Sequence, residues 1–165
     1  MTTPALNEDY LDLLRAFVRE RVAFLIVGAH ALAVHGVPRA TGDLDLLVRP
    51  DPPNAERVIT ALRSFGAPLA THGVSAADFA RPGMVYQIGV APRRIDVLTA
   101  ISGVSFEEAW AGHTQAELQG LRLPVLGRAA LLRNKRAAGR TKDLADAEQL
   151  ERLEGQSPSA TSPPS

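Results

Sequence analysis

Cysteine is absent from the 165 residues, which excludes a disulfide framework, a thiolate nucleophile and a Cys-ligated zinc. Neither charge is in surplus: 18 Lys and Arg balance 18 Asp and Glu, so no global field draws the chain to nucleic acid or anionic lipid. Any basic site must be local. Aromatics are few, five Phe, two Tyr and one Trp, and provide no stacking platform of the kind RNA binders use. No window approaches ~18 uninterrupted apolar residues, and MTTPALNEDYLDLLR has no basic segment followed by an apolar run. The expectation is a cytoplasmic protein with no membrane segment. Its length suits one domain, and 45% hydrophobic with 22% charged residues is ordinary for a globular core.

What is present concentrates between Phe24 and Val48, FLIVGAHALAVHGVPRATGDLDLLV. Phe24 to Val27 reads as a buried strand, Gly28 as a turn, and Ala29 to Val34 as a short helix. After a Gly-Val-Pro break comes a second predicted strand carrying Asp43 and Asp45. Alternate strand residues share a face, so the two Asp point one way and Leu44 and Leu46 the other. Adjacent carboxylates raise each other's pKa unless a cation lies between them. Mg²⁺, or Mn²⁺, is the kind of hard ion that prefers such oxygens. The Gly turn opening a helix offers backbone N–H groups to a phosphate.

Around this stretch the pattern alternates. Asn7 caps a first helix whose Leu11, Leu14, Phe17 and Val18 share a face, with no role beyond packing visible. Residues 49–53, rich in Pro, read as a stop and a linker, and Asn54 as the cap of a helix to Phe65 closed by Gly66. Residues 68–82 look irregular apart from a capping box at Ser75 and Asp78. Met84 to Gly89 and Ile95 to Leu98 predict a hairpin, Ser105 with Glu108 a capped helix, and Glu117 to Leu126 one or two strands turning at Gly120. Gly127 to Ala138 and Thr141 to Leu153 read as the last helices, broken at Gly139. Residues 155–165, Ser- and Pro-rich, read as a disordered tail behind a single domain over 1–154. This order predicts an α/β or α+β fold, a sheet partly covered by helices.

A third acid, Asp96, interrupts an apolar strand, where Asp is disfavoured. Either it joins Asp43 and Asp45 around one ion, or it pairs with Arg93, Arg94 or Arg39 on a solvated face; taken alone the ion pair is favoured. Together, Gly28-Ala29, Asp43-x-Asp45 and Asp96 resemble, in order, the motifs of the nucleotidyltransferase superfamily related to DNA polymerase beta. Arg39 to Asp45, and Lys135 with Arg140, Asp143 and Asp146, resemble more closely its small bacterial branch, the abortive-infection and toxin type. The resemblance covers about Phe24 to Leu150.

That resemblance implies the nucleotidyltransferase fold, a mixed, partly antiparallel sheet with C-terminal helices. It also implies transfer of a nucleoside monophosphate from a triphosphate to an acceptor hydroxyl on RNA, a protein or a small molecule. Asp43, Asp45 and Asp96 would hold Mg²⁺ or Mn²⁺ and, with Lys135, form the catalytic set. Gly28, Ala29, His30, Arg39, Thr41 and Asp143 would contact the nucleotide. Thr41 has a packing reading equally open, and Asp143 reads either as a further acid or as the partner that orients Lys135. His35 reads as structural. Ala29 stands where many members have Ser or Gly, keeping the backbone donor and losing a hydroxyl. The alternative is a catalytically degenerate nucleotide- or partner-binding protein. A third reading is one member of a toxin–antitoxin pair restrained by a cognate antitoxin.

Overall fold

The amphipathic first segment forms α1 (Glu8–Arg19), capped by the Asn7 side chain, which accepts the Tyr10 N–H at 2.9 Å. The computed structural model describes residues 6–39, 42–90 and 92–155; Thr41, read above as a nucleotide contact or a packing residue, and residues 156–165 of the tail read as disordered lie outside them. Helix α1 buries Tyr10, Leu11, Leu14 and Phe17, whereas Val18 is exposed. Its apolar stripe centres on Tyr10, Leu14 and Phe17, and Val18 falls at the edge of the last turn.

Phe24–Val27 is β1, buried at every residue, and it runs directly into α2 (Gly28–Val34). Then comes β2 (Leu44–Val48). Asp43 therefore stands one residue before the strand and not within it, at the mouth of the ladder. The Pro pair is no linker: it opens α3 (Pro52–Phe65), with Asp51 as the cap, its side chain accepting the Asn54 N–H at 2.8 Å. Proline suits a helix's first turn, where its missing N–H would have had no partner. Asn54, read above as the cap, is instead a buried strap. Its amide donates to the carbonyls of Ala23 (3.1 Å) and Arg49 (3.0 Å) and accepts the Ala23 N–H (2.7 Å).

Residues 68–82 are more regular than expected, holding α4 (Leu69–His72) and α5 (Ala76–Phe79), the second opened by the Ser75–Asp78 capping box. β3 (Val85–Ile88) and β4 (Ile95–Leu98) form the expected antiparallel hairpin, followed by α6 (Phe106–Ala111). β5 (Thr114–Leu118) starts three residues earlier than the sequence suggests; it pairs with β6 (Leu121–Val125) across Gln119 and Gly120, both at positive φ. Two helices close the chain, α7 (Arg128–Ala138) and α8 (Thr141–Gly155), separated at Gly139.

The six strands form one mixed sheet in the order β3-β4-β2-β1-β6-β5. β2 runs antiparallel to β1 and parallel to β4, and β1 runs parallel to β6. Strands β4, β2 and β1 are mostly buried, as the FLIV run of β1 requires. Helices α1, α3 and α5 pack as one group, and α7 packs on α8. Under α7 lies a turn closed by the Ile101–Val104 bridge; a Cβ on its Gly103 would come within 2.5 Å of Ala137 Cβ. Among the described residues no helix is long and apolar enough to cross a membrane.

Candidate active site

The strand register brings the acids together. Asp45 on β2 and Asp96 on the parallel β4 are direct partners, and Val27 on β1 is opposite Asp45 on the other side. Neighbouring strands lie ~4.8 Å apart, so like-facing partner side chains touch. Gly28, one residue beyond Val27, has φ +68°, and a Cβ there would run into Asp45 Oδ2. Only glycine leaves that carboxylate its place and adopts that backbone without strain. Burial first, then the charges of Asp96 and Asp43, push the Asp45 carboxyl up to about 6 from 3.8, against the pull of Arg94 and Lys135.

Asp96 pairs with an arginine as one reading expects, on a buried face and not a solvated one. Its carboxylate takes Arg94 Nε at 2.9 Å and Nη2 at 3.4 Å, yet it remains beside Asp45. The same guanidinium reaches Asp43, with Nη2 3.2 Å from Oδ2, and the Arg94 N–H donates to Asp43 Oδ1 at 3.3 Å. Arg94 thus spans two of the three acids. Among the described residues no three acids or imidazoles stand as a ready-made ion cage. The donor set still suits a hard divalent cation: all oxygen, crowded enough to raise Asp45, with space kept open by Gly28.

Facing the acids across a cavity of about 570 Å³ is a basic wall of Arg39, Lys135, Arg140 and Lys142. Two carboxylates of α8 organise it. Asp143, fully buried, accepts from Arg140 Nε at 2.6 Å and Lys135 Nζ at 3.4 Å; Asp146, also buried, lies 3.3 Å from Lys135 Nζ and pairs with Arg39. Burial pushes the Lys135 ammonium below its ordinary pKa while Asp143 pulls the other way. Burial also opposes ionisation of Asp143, but Arg140 and Lys135 outweigh it and its pKa is lowered. Asp143 meets Lys135 and Arg140 and does not itself border the cavity.

Gly28, Ala29, Arg39, Lys135 and the three acids all border this cavity. His30 does not. It is buried, and burial lowers its pKa against the opposing backbone and charge of Asp43, so a direct phosphate contact gives way to a place in the scaffold. Sequence adjacency to Gly28 carried no information about which side of α2 the ring would take. His35 is structural as expected, its Nε2 2.7 Å from the Leu126 carbonyl oxygen. Arg94, Arg140, Lys142 and Asp146 were not among the candidate site residues. Arg94 was the detectable one: two residues from Asp96 on one strand, it must share its face.

No protein-family model matches the chain, and no curated protein matches it. Solved structures do. The lincosamide antibiotic adenylyltransferase LnuA, in its lincomycin-bound form, superposes with a TM-score of 0.55 at 13% identity, over 91% of this chain and 99% of that one. TM1012 of Thermotoga maritima, a candidate nucleotidyltransferase, gives 0.53 at 16% identity over 92% and 96%. ANT(2″)-Ia, in complex with adenylyl-2″-tobramycin, gives 0.53 at 14% identity over 89% and 93%. The six-stranded mixed sheet flanked by helices matches these neighbours in outline: this chain has the nucleotidyltransferase fold.

Proposed function

We propose that this chain is a nucleotidyltransferase that passes a nucleoside monophosphate from a nucleoside triphosphate to the hydroxyl of a small-molecule acceptor. The observation that carries the proposal is the pairing of Asp45 with Asp96 in register, beside Asp43 and against Gly28, across a cavity from three or more cationic side chains. A buried Asp forced up to about 6 is a poor structural element and a sound ligand or base. The small-molecule acceptor is supported by the cavity volume, the absence of a basic stripe, and two fold neighbours described with antibiotics bound.

Mg²⁺ or Mn²⁺, when held by Asp43, Asp45 and Asp96, supplies Lewis-acid polarisation of phosphate oxygens. The chain's own groups do the rest. Gly28 and Ala29, bare of bulky side chains, let the triphosphate approach the acids. Arg39, Lys135 and Arg140, aimed by Asp146 and Asp143, neutralise charge as the bond from α-phosphorus to pyrophosphate breaks. The acceptor oxygen bonds the α-phosphorus in line, and its proton passes to the Asp96 carboxylate.

The test is incubation with each α-labelled triphosphate, Mg²⁺ or Mn²⁺, and panels of polyhydroxylated small molecules, total RNA and purified proteins. Label is expected on a small molecule and lost in Asp45→Asn and Asp96→Asn. Arg94, already bridging Asp43 and Asp96, favours a second reading, a nucleotide-binding protein without transfer. Triphosphate binding with no labelled product from any panel would establish that reading instead.

A further inference from the structure

The side of the site facing away from the cavity contains a second connected set of contacts. Tyr10, on α1 and buried, places its hydroxyl 3.2 Å from the Arg94 carbonyl oxygen and 3.4 Å from that of Pro92. The Arg94 carbonyl also takes the Leu44 N–H at 3.0 Å, and the Arg94 N–H donates to Asp43 Oδ1 at 3.3 Å. Gly42 lies flush on Pro92, with no room for a Cβ before the Pro92 carbonyl oxygen. From the other side the buried His30 ring packs edge-on against the Tyr10 ring at 6.0 Å, and burial lowers its pKa against the opposing backbone and charge of Asp43. The two aromatic rings therefore close on the residues around Asp43 from behind.

The histidine has a cost that packing alone does not explain. A neutral imidazole has one protonated nitrogen and one bare acceptor. Here Nδ1 is buried without a partner. An orphaned buried polar atom costs about 1–3 kcal/mol. Phenylalanine would fill the space without that cost but would supply no donor. The tyrosine follows the same logic: a Phe on α1 would pack as well, and only the hydroxyl reaches the 92–94 segment.

We propose that Tyr10 and His30 are positioning residues that hold Asp43 in register with Asp45 and Asp96, His30 through the backbone of Asp43 and Tyr10 through the segment that carries Arg94. The inference rests on the reading of Asp43 as a cation ligand, and it gives α1 a part in the site. Groups that orient metal ligands in this way are typically worth 10–100-fold in affinity.

The experiment uses the full chain with Mn²⁺ alone as probe, titrated by electron paramagnetic resonance, alongside amide exchange at Leu44 and Arg94. Tyr10→Phe and His30→Phe should each weaken Mn²⁺ binding about tenfold and speed exchange of both amides by a similar factor. His30→Gln, which restores a donor, should recover most of both. Unchanged affinity and exchange would overturn the proposal. So would a loss that tracks the fall in melting temperature and is not recovered by Gln. A parent protein that binds no Mn²⁺, or an Asp45→Asn variant that binds it as well as the parent, would instead overturn the cation reading; the exchange measurement then still decides whether the two rings hold Asp43.

Discussion

Asp45 is where function and stability part company. Its carboxyl is at about 6 in the folded chain against 3.8 ordinarily, so the folded state binds that proton more tightly than the unfolded chain does. Stability contributed by the protonated form is present at low pH, falls as pH rises from 3.8 to about 6, and is gone above that. Asp45→Asn should therefore melt higher than the parent at pH 8 in chelator, by up to about 3 kcal/mol, with the gain vanishing near pH 4. Thermal melts across that range check the sign; a variant less stable at pH 8 would show the carboxylate to be compensated after all. Gly28→Ala should act the opposite way. It forces a side chain into a left-handed backbone at about 1–2 kcal/mol and displaces Asp45, so both melting temperature and transfer should fall. At this scale the sequence was readable wherever alternation decides: Asp43 and Asp45 to one side, Arg94 with Asp96. It was silent on His30 and on the Tyr10 hydroxyl, because their partners come from loops more than ten residues away in the chain.

Among the elements, α7 and α8 form a unit through buried charge. Asp143 is enclosed with Lys135 and Arg140, so Asp143→Ala leaves the buried ammonium with Asp146 in place of two carboxylates and should cost about 2 kcal/mol in urea unfolding. The double change Lys135→Met with Asp143→Leu removes both charges and should recover much of that stability, while nucleotide transfer stays lost. Recovery of stability without activity would separate the structural share of the pair from its chemical share. Elements with their own punctuation were legible: Asn7, Gly66, Gly139 and the Ser105–Glu108 box mark helix ends by local hydrogen bonding. The Pro52–Pro53 pair was misread because the same residues end a strand and begin a helix, and only the aspartate before them decides which.

For the molecule as a whole, hairpins were foreseeable and the strand order was not. β3 with β4 and β5 with β6 are joined by short turns, whereas β1 pairs with β6 across most of the chain. The convergence of Asp45 and Asp96 depends on one such distant choice, β2 beside β4. The single tryptophan offers a check on unity. Trp110 stacks on Phe106 with ring centroids 5.6 Å apart, and neither ring borders the acids' cavity. Its emission and the helix ellipticity should share one urea midpoint. A triphosphate with Mg²⁺ at a hundredfold above its Kd should raise both together by about 2.7 kcal/mol, and leave Asp45→Asn unmoved.

The turn beneath α7 makes a final point about distance. Gly103 is a spacer of no thickness: its φ is +76°, and its missing side chain is what lets Ala137 settle against it. A single methyl there would act as a shim under the helix, tilting Lys135 off Asp143 and Asp146 and away from the acids it faces. Gly103→Ala would then present as a chemical defect in a chain whose reactive groups are all intact, and sequence inspection of the site would find nothing wrong.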